Sequence, residues 1–87
     1  MKRKIVEREE IGKIIKHLRV SNNLTQDYMS SKLHYDIRHI RRLENEGTHN
    51  LDTIQCIADM FGVDVFDILA GDVFLLKLLT YLNYKIV

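Results

Sequence analysis

LTQDYMSSKLHYDIRHIRRLENEG, Leu24 to Gly47, decides the fold of this 87-residue chain, because it holds two amphipathic pieces joined by only a few residues. Thr25 is placed to cap the first piece, Met29 and Leu33 recur on its inner side, and Asp27 lies in the first turn, where a helix dipole favours negative charge. Asp36 caps the second piece, Ile40 and Leu43 point inward, and Asn45 to Gly47 close it. Ile37, Arg38, Arg41 and Arg42 are left on its outward side.

The flanks continue the helical pattern. Ile11, Ile14, Ile15 and Leu18 predict a first helix from about Glu9 to Ser21, ended by Asn22 and Asn23. Asn50 caps a fourth helix with Ile54, Ile57, Ala58 and Phe61 on one stripe, and Gly62 stops it. Asp64 caps a short fifth helix through Val65, Phe66, Ile68 and Leu69. Gly71 and Asp72 repeat the stop and the cap, and a mostly apolar sixth helix is expected to run to Val87, with Lys77, Thr80 and Asn83 as a narrow polar strip. With no proline, few glycines and no strand signal, the expected class is all-α.

The formal net charge of +1 conceals a division. Residues 1–50 hold eleven Lys/Arg against seven Asp/Glu, a net +4, whereas residues 51–87 hold two against five, a net −3. Such polarity suits a chain with one face toward a polyanion. Within Leu24–Gly47 four basic residues balance four acidic ones, so placement matters more than number.

A lone cysteine, Cys56, excludes an internal disulfide framework and fits a reducing compartment, and a small core or near-core place is expected for it. The basic Met1–Lys4 is followed by IVEREE rather than an apolar run, so no signal peptide is expected. His17, His34, His39 and His49 show no metal-ligand spacing, and there is no phosphate-cradling glycine loop, nucleophile elbow or evident carboxylate pair. Neither an enzyme nor a bound metal or cofactor is expected.

The Leu24–Gly47 stretch resembles the helix-turn-helix of Cro-type phage repressors, the Xre family of bacterial regulators. The resemblance covers about residues 9–70: IGKIIKHLR matches the family's first helix, LTQ opens its second, IRRLE closes its third, and LDTIQCIADMFGVDVFDIL matches its fourth and fifth. It implies a five-helix Cro/repressor-like DNA-binding domain with the helix-turn-helix at helices 2 and 3, a cytoplasmic protein of a bacterium or phage, and a recognition helix at about 36–45 in the major groove. Base reading then falls to Ile37, Arg38, Arg41 and Arg42, since arginine bonds guanine bidentately and isoleucine meets a thymine methyl. Thr25, Gln26, His39, Asn45 and Thr48 match positions that hold the DNA backbone, and Arg19 and Glu44 match a structural ion pair between the first and third helices. His34 departs from the family's turn glycine, which implies strain of about 1 kcal/mol. The closing glycine is displaced to Gly47, the proline after it is absent, and the loop to Asn50 is one residue shorter.

Three parts are therefore expected: a basic arm at 1–8 led by Lys2, Arg3 and Lys4, the DNA-binding domain at 9–70, and an apolar C-terminal helix at 71–87. Val73, Phe74, Leu76, Leu78, Leu79, Tyr81 and Leu82 are too many apolar side chains for one side of a small domain. Either they pack partly on the first and fifth helices and partly on a second copy, which is the stronger expectation, or the chain is the first part of a longer regulator. A homodimer on a palindromic operator follows, with half-sites about 34 Å apart. With Lys77 inside it, the segment is too short and too polar for a membrane span. The competing class is an antitoxin or adaptor of the same fold, acting on another protein through that helix.

Overall fold

In the computed structural model, residues 5–71 are described. The apolar spacing near the N-terminus forms α1 (Arg8–Ser21), which buries Ile11, Ile14, Ile15 and Leu18 along one side. Thr25 starts α2 (Gln26–Leu33): its hydroxyl accepts from the Tyr28 amide at 3.0 Å, satisfying one of the donors a helix start leaves open. The same device recurs three times. Asp36 accepts from the Arg38 amide at the head of α3 (Ile37–Glu46), Asn50 from Thr53 at the head of α4 (Leu51–Phe61), and Asp64 from Phe66 at the head of α5 (Val65–Leu69).

Among the described residues every regular element is a helix. α1 packs most extensively on α3 and also touches α5, α2 packs on α3, and α4 on α5. All five helices contribute to the core: Ile11, Ile14, Ile15 and Leu18 meet Met29 from α2, Ile40 and Leu43 from α3, Ile54, Ile57 and Ala58 from α4, and Ile68 and Leu69 from α5.

α1 and α3 approach closely because of Gly12. A Cβ there would lie 2.7 Å from the Glu44 carbonyl oxygen and 2.8 Å from that of Leu43, backbone atoms with nowhere to move. Gly47, at φ 73°, completes the crossing by turning the end of α3 against the backbone of Arg8. On the other side of α3, the Ser30 hydroxyl donates across the α2–α3 turn to the Tyr35 carbonyl.

Other expectations shift where the helix ends meet solvent. Leu33, Tyr35 and Phe61 pack against the core but are only half-buried, because each sits at or beyond the last turn of its helix. Cys56 is exposed rather than near-core. It follows the buried Ile54 by two residues, roughly 200° around α4, which carries it to the opposite side. There it lines a groove between α2 and α4 with Leu24, Tyr28, Leu33 and Met60.

The N-terminal stretch is partly built into the domain. Arg8 already belongs to α1, and the Val6 amide donates to the Leu69 carbonyl at 2.9 Å. His49 Nε2 lies 3.0 Å from the Val6 carbonyl oxygen, to which it donates. Lys2, Arg3, Lys4 and the segment Val73–Val87 lie outside the described residues.

His34 ends α2 at φ 58° and ψ 37°, the left-handed region expected of the turn. His34→Gly is expected to raise stability by several tenths to about 1 kcal/mol, as release of strain outweighs the added freedom of the unfolded chain. Gly12→Ala should lower it by about 1–3 kcal/mol through overpacking. Urea unfolding followed by circular dichroism measures both, and an unchanged midpoint for either variant would contradict the corresponding reading.

Candidate nucleic-acid interface

One buried polar cluster orients α3. Arg19 on α1 donates from Nε to Glu44 Oε2 at 2.5 Å and from Nη2 to Glu44 Oε1 at 3.0 Å, a two-pronged pair between a guanidinium 13% exposed and a carboxylate 2% exposed. The third prong, Nη1, donates to the Leu24 carbonyl at 2.9 Å, while the Leu24 amide donates back to the Arg19 carbonyl at 3.0 Å. Gln26, the first residue of α2, donates from Nε2 to Glu44 Oε1 at 3.2 Å. α1 and α2 thus meet on one carboxylate of α3, and the α1–α2 loop joins the cluster through Arg19. Charge-assisted, bidentate bonds of this kind fix orientation, although desolvation offsets much of their attraction.

With Ile40, Leu43 and Glu44 turned inward, the helical period dictates what remains outside. Arg38, Arg41, Arg42 and Asn45 are all exposed, and their spacings of three and four residues put them on one face. The Arg38 side chain is 88% exposed and that of Arg42 is 73% exposed. Each has a carboxylate nearby, Asp36 for Arg38 and Glu46 for Arg42, both at 3.9 Å. Pairs so long and so open to water are weak, so both guanidiniums remain available to an outside acceptor.

Ile37 is half-buried at the head of α3. It lines a shallow depression with Leu24, Thr25, Gln26, Asp27 and Arg41, where the start of α2 meets the start of α3. Thr25, Gln26, Ile37 and Arg41 are therefore neighbours.

The remaining candidates are more dispersed. His39 is half-buried, its ring edge-on to Tyr35 with centroids 4.8 Å apart. Thr48 accepts from the Asn50 amide at 3.0 Å, in the loop between α3 and α4. Val73, Phe74, Leu76, Leu78, Leu79, Tyr81 and Leu82, expected to contact a partner, lie outside the described residues. Among the described residues no group of three or more His, Cys, Asp and Glu side chains could hold a metal ion, and no helix is long and apolar enough to cross a membrane.

No family model, curated protein or solved structure matches this chain. The geometry of its own residues therefore carries the functional argument.

One participant escaped the sequence reading: the Leu24 carbonyl, a backbone acceptor, has no side-chain signature. Gln26, which the family resemblance makes a phosphate contact that also supports the recognition helix, donates its amide to Glu44 on α3. A polar residue in a first helical turn, 18 positions before a carboxylate, carries no local signal of that pairing.

Removing one partner should cost far more than removing both. Glu44→Ala leaves the Arg19 guanidinium enclosed and unpaired, and is expected to destabilise the fold by about 3–5 kcal/mol. The double variant Arg19→Met, Glu44→Leu should recover most of that loss in urea unfolding. Equal losses in the single and double variants would mean that the pair itself, not the stranded charge, dominates.

Proposed function

We propose that the chain is a sequence-specific double-stranded DNA-binding regulator that inserts α3 into the major groove. The observation that carries this reading is the shared exposed face of Arg38, Arg41 and Arg42 on a helix whose opposite face is held by the Arg19–Glu44 pair. A helix with its side chains is about 10–12 Å across and the major groove about 12 Å wide, so α3 fits it edge to edge. An acceptor-rich groove wall is the natural counterpart of exposed guanidiniums on a restrained helix.

In this reading Arg38 and Arg42 bond guanine edges, Arg41 bonds a base or a flanking phosphate, and Ile37 packs on a thymine methyl at the rim. Thr25, Gln26, His39, Asn45 and Thr48 hold the sugar-phosphate backbone, which sets register without reading sequence. Gln26 also braces α3 through Glu44, linking backbone contact to the angle of the reading helix. The sequence resemblance to Cro-type repressors supports this arrangement, with repression by occluding the promoter as its mode of action. A homodimer on a palindromic operator, joined through the apolar Val73–Val87 segment, is part of the same proposal.

The test is salt-titrated binding to a random duplex pool. The wild type should enrich a palindromic motif and lose affinity steeply with salt. Arg38→Ala and Arg42→Ala should each cost about 1–3 kcal/mol on the enriched site and relax one base position, with Ile37→Ala relaxing a neighbouring one. If the folded wild type binds no duplex at low salt, the arginines are a solvated face and the proposal fails.

A further inference from the structure

Each of the two arginines assigned to guanine edges has a carboxylate of its own. Asp36 Oδ1 lies 3.9 Å from Arg38 Nε and accepts from the Arg38 amide at 2.8 Å, so the cap of α3 also fixes where that carboxylate stands. Glu46, one turn beyond Arg42, reaches its Nε at the same 3.9 Å. In both pairs the nearest nitrogen is Nε, and the Nη1–Nη2 end, the fork that can grip guanine O6 and N7, lies farther from the carboxylate. Arg41 differs: among the described residues it forms no ion pair.

Building on the DNA-binding reading, we infer that Asp36 and Glu46 are specificity-determining residues, which hold Arg38 and Arg42 back from phosphate, keep them for guanine, and leave Arg41 as the phosphate-binding arginine of α3. A phosphate drawn to Arg38 or Arg42 must also come close to Asp36 or Glu46, and two anions around one guanidinium repel each other. Guanine O6 and N7 are uncharged acceptors and meet no such opposition. Specificity is the difference between affinity for the right duplex and for the wrong one, and a repulsive group beside an attractive one widens it by weakening the wrong complex. The pairs are weak in water, so they act on what approaches α3 more than on the stability of the fold.

The dipole of α3 alone would favour an anion at Asp36, but it disfavours one at Glu46, the last residue of the helix. An arginine four residues before its glutamate is also the weaker order for such a pair. Glu46 is thus the carboxylate that helix stability leaves unexplained.

The affinities of Asp36→Asn, Glu46→Gln and the double variant for the motif that the wild type enriches, and for a scrambled duplex, measured across a salt series, test the inference. Asparagine keeps the cap oxygen and Glu46 is exposed, so the variants stay folded, which an unchanged circular dichroism spectrum verifies. In the double variant, affinity for the scrambled duplex is expected to rise about three- to tenfold, with affinity for the motif rising less. The log–log salt slope on the scrambled duplex should steepen by about 1–2 as the freed arginines take up phosphates. Asp59→Asn, which removes one charge from α4, should leave the ratio of the two affinities near its wild-type value, because distant charges are screened. An unchanged ratio in the double variant overturns the inference while the DNA-binding reading stands. So does an equal loss of discrimination in Asp59→Asn, since net charge would then be the cause. A wild type that binds no duplex at low salt overturns both.

Discussion

The position of α3 depends on one buried pair of opposite charges. Glu44 is a charged residue on the inward face of a helix, where an apolar side chain would ordinarily sit, and it is tolerated because Arg19 meets it with two parallel bonds. The guanidinium is a rigid planar fork, so the pair restrains rotation of α3 about its axis as well as its distance from α1. Gly12 makes the arrangement possible by letting the two backbones come close enough for the side chains to reach. Hydrophobic contacts from Ile40 and Leu43 hold α3 down but are less directional. The ion pair therefore supplies orientation and the core supplies cohesion.

That division leaves a ten-residue helix with one face in the interior and the other in water. Four of its positions are turned inward or toward the α2 junction, and the period of 3.6 leaves Arg38, Arg41, Arg42 and Asn45 together in water. Long side chains on a wandering helix would sample many geometries, each at an entropic cost when a partner binds. On a restrained helix only the side chains themselves need ordering. The depression shared by Thr25, Gln26, Ile37 and Arg41 adds that the head of α2 and the head of α3 present one continuous surface.

The elements were legible in the sequence where the chemistry is local. Thr25, Asp36, Asn50 and Asp64 all cap the helices assigned to them, because a cap needs only a short oxygen-bearing side chain and amides two or three residues on. The outward arginines follow from helical period in the same way. What stayed hidden depends on distant partners. The ion pair joins residues 25 positions apart and was anticipated through family resemblance, not from spacing. The need for Gly12 arises only once α3 lies across α1. Cys56 is the converse case: cysteine's general preference for the interior yields to the angular position that α4 assigns it, which is exposed.

Val6 has one further consequence, topological in kind. Its amide on Leu69 and its side chain against Gly71 bring the two ends of the described fold into contact. A polypeptide attached at either end would leave from the same place, and a linker of a few residues could join the ends into a closed ring. New termini opened in the exposed His49–Asn50 stretch would then separate α1–α3 from α4–α5 in chain order. The carrier of the arginine face and the helices that complete its core are in this sense two consecutive blocks whose order along the chain the packing does not prescribe.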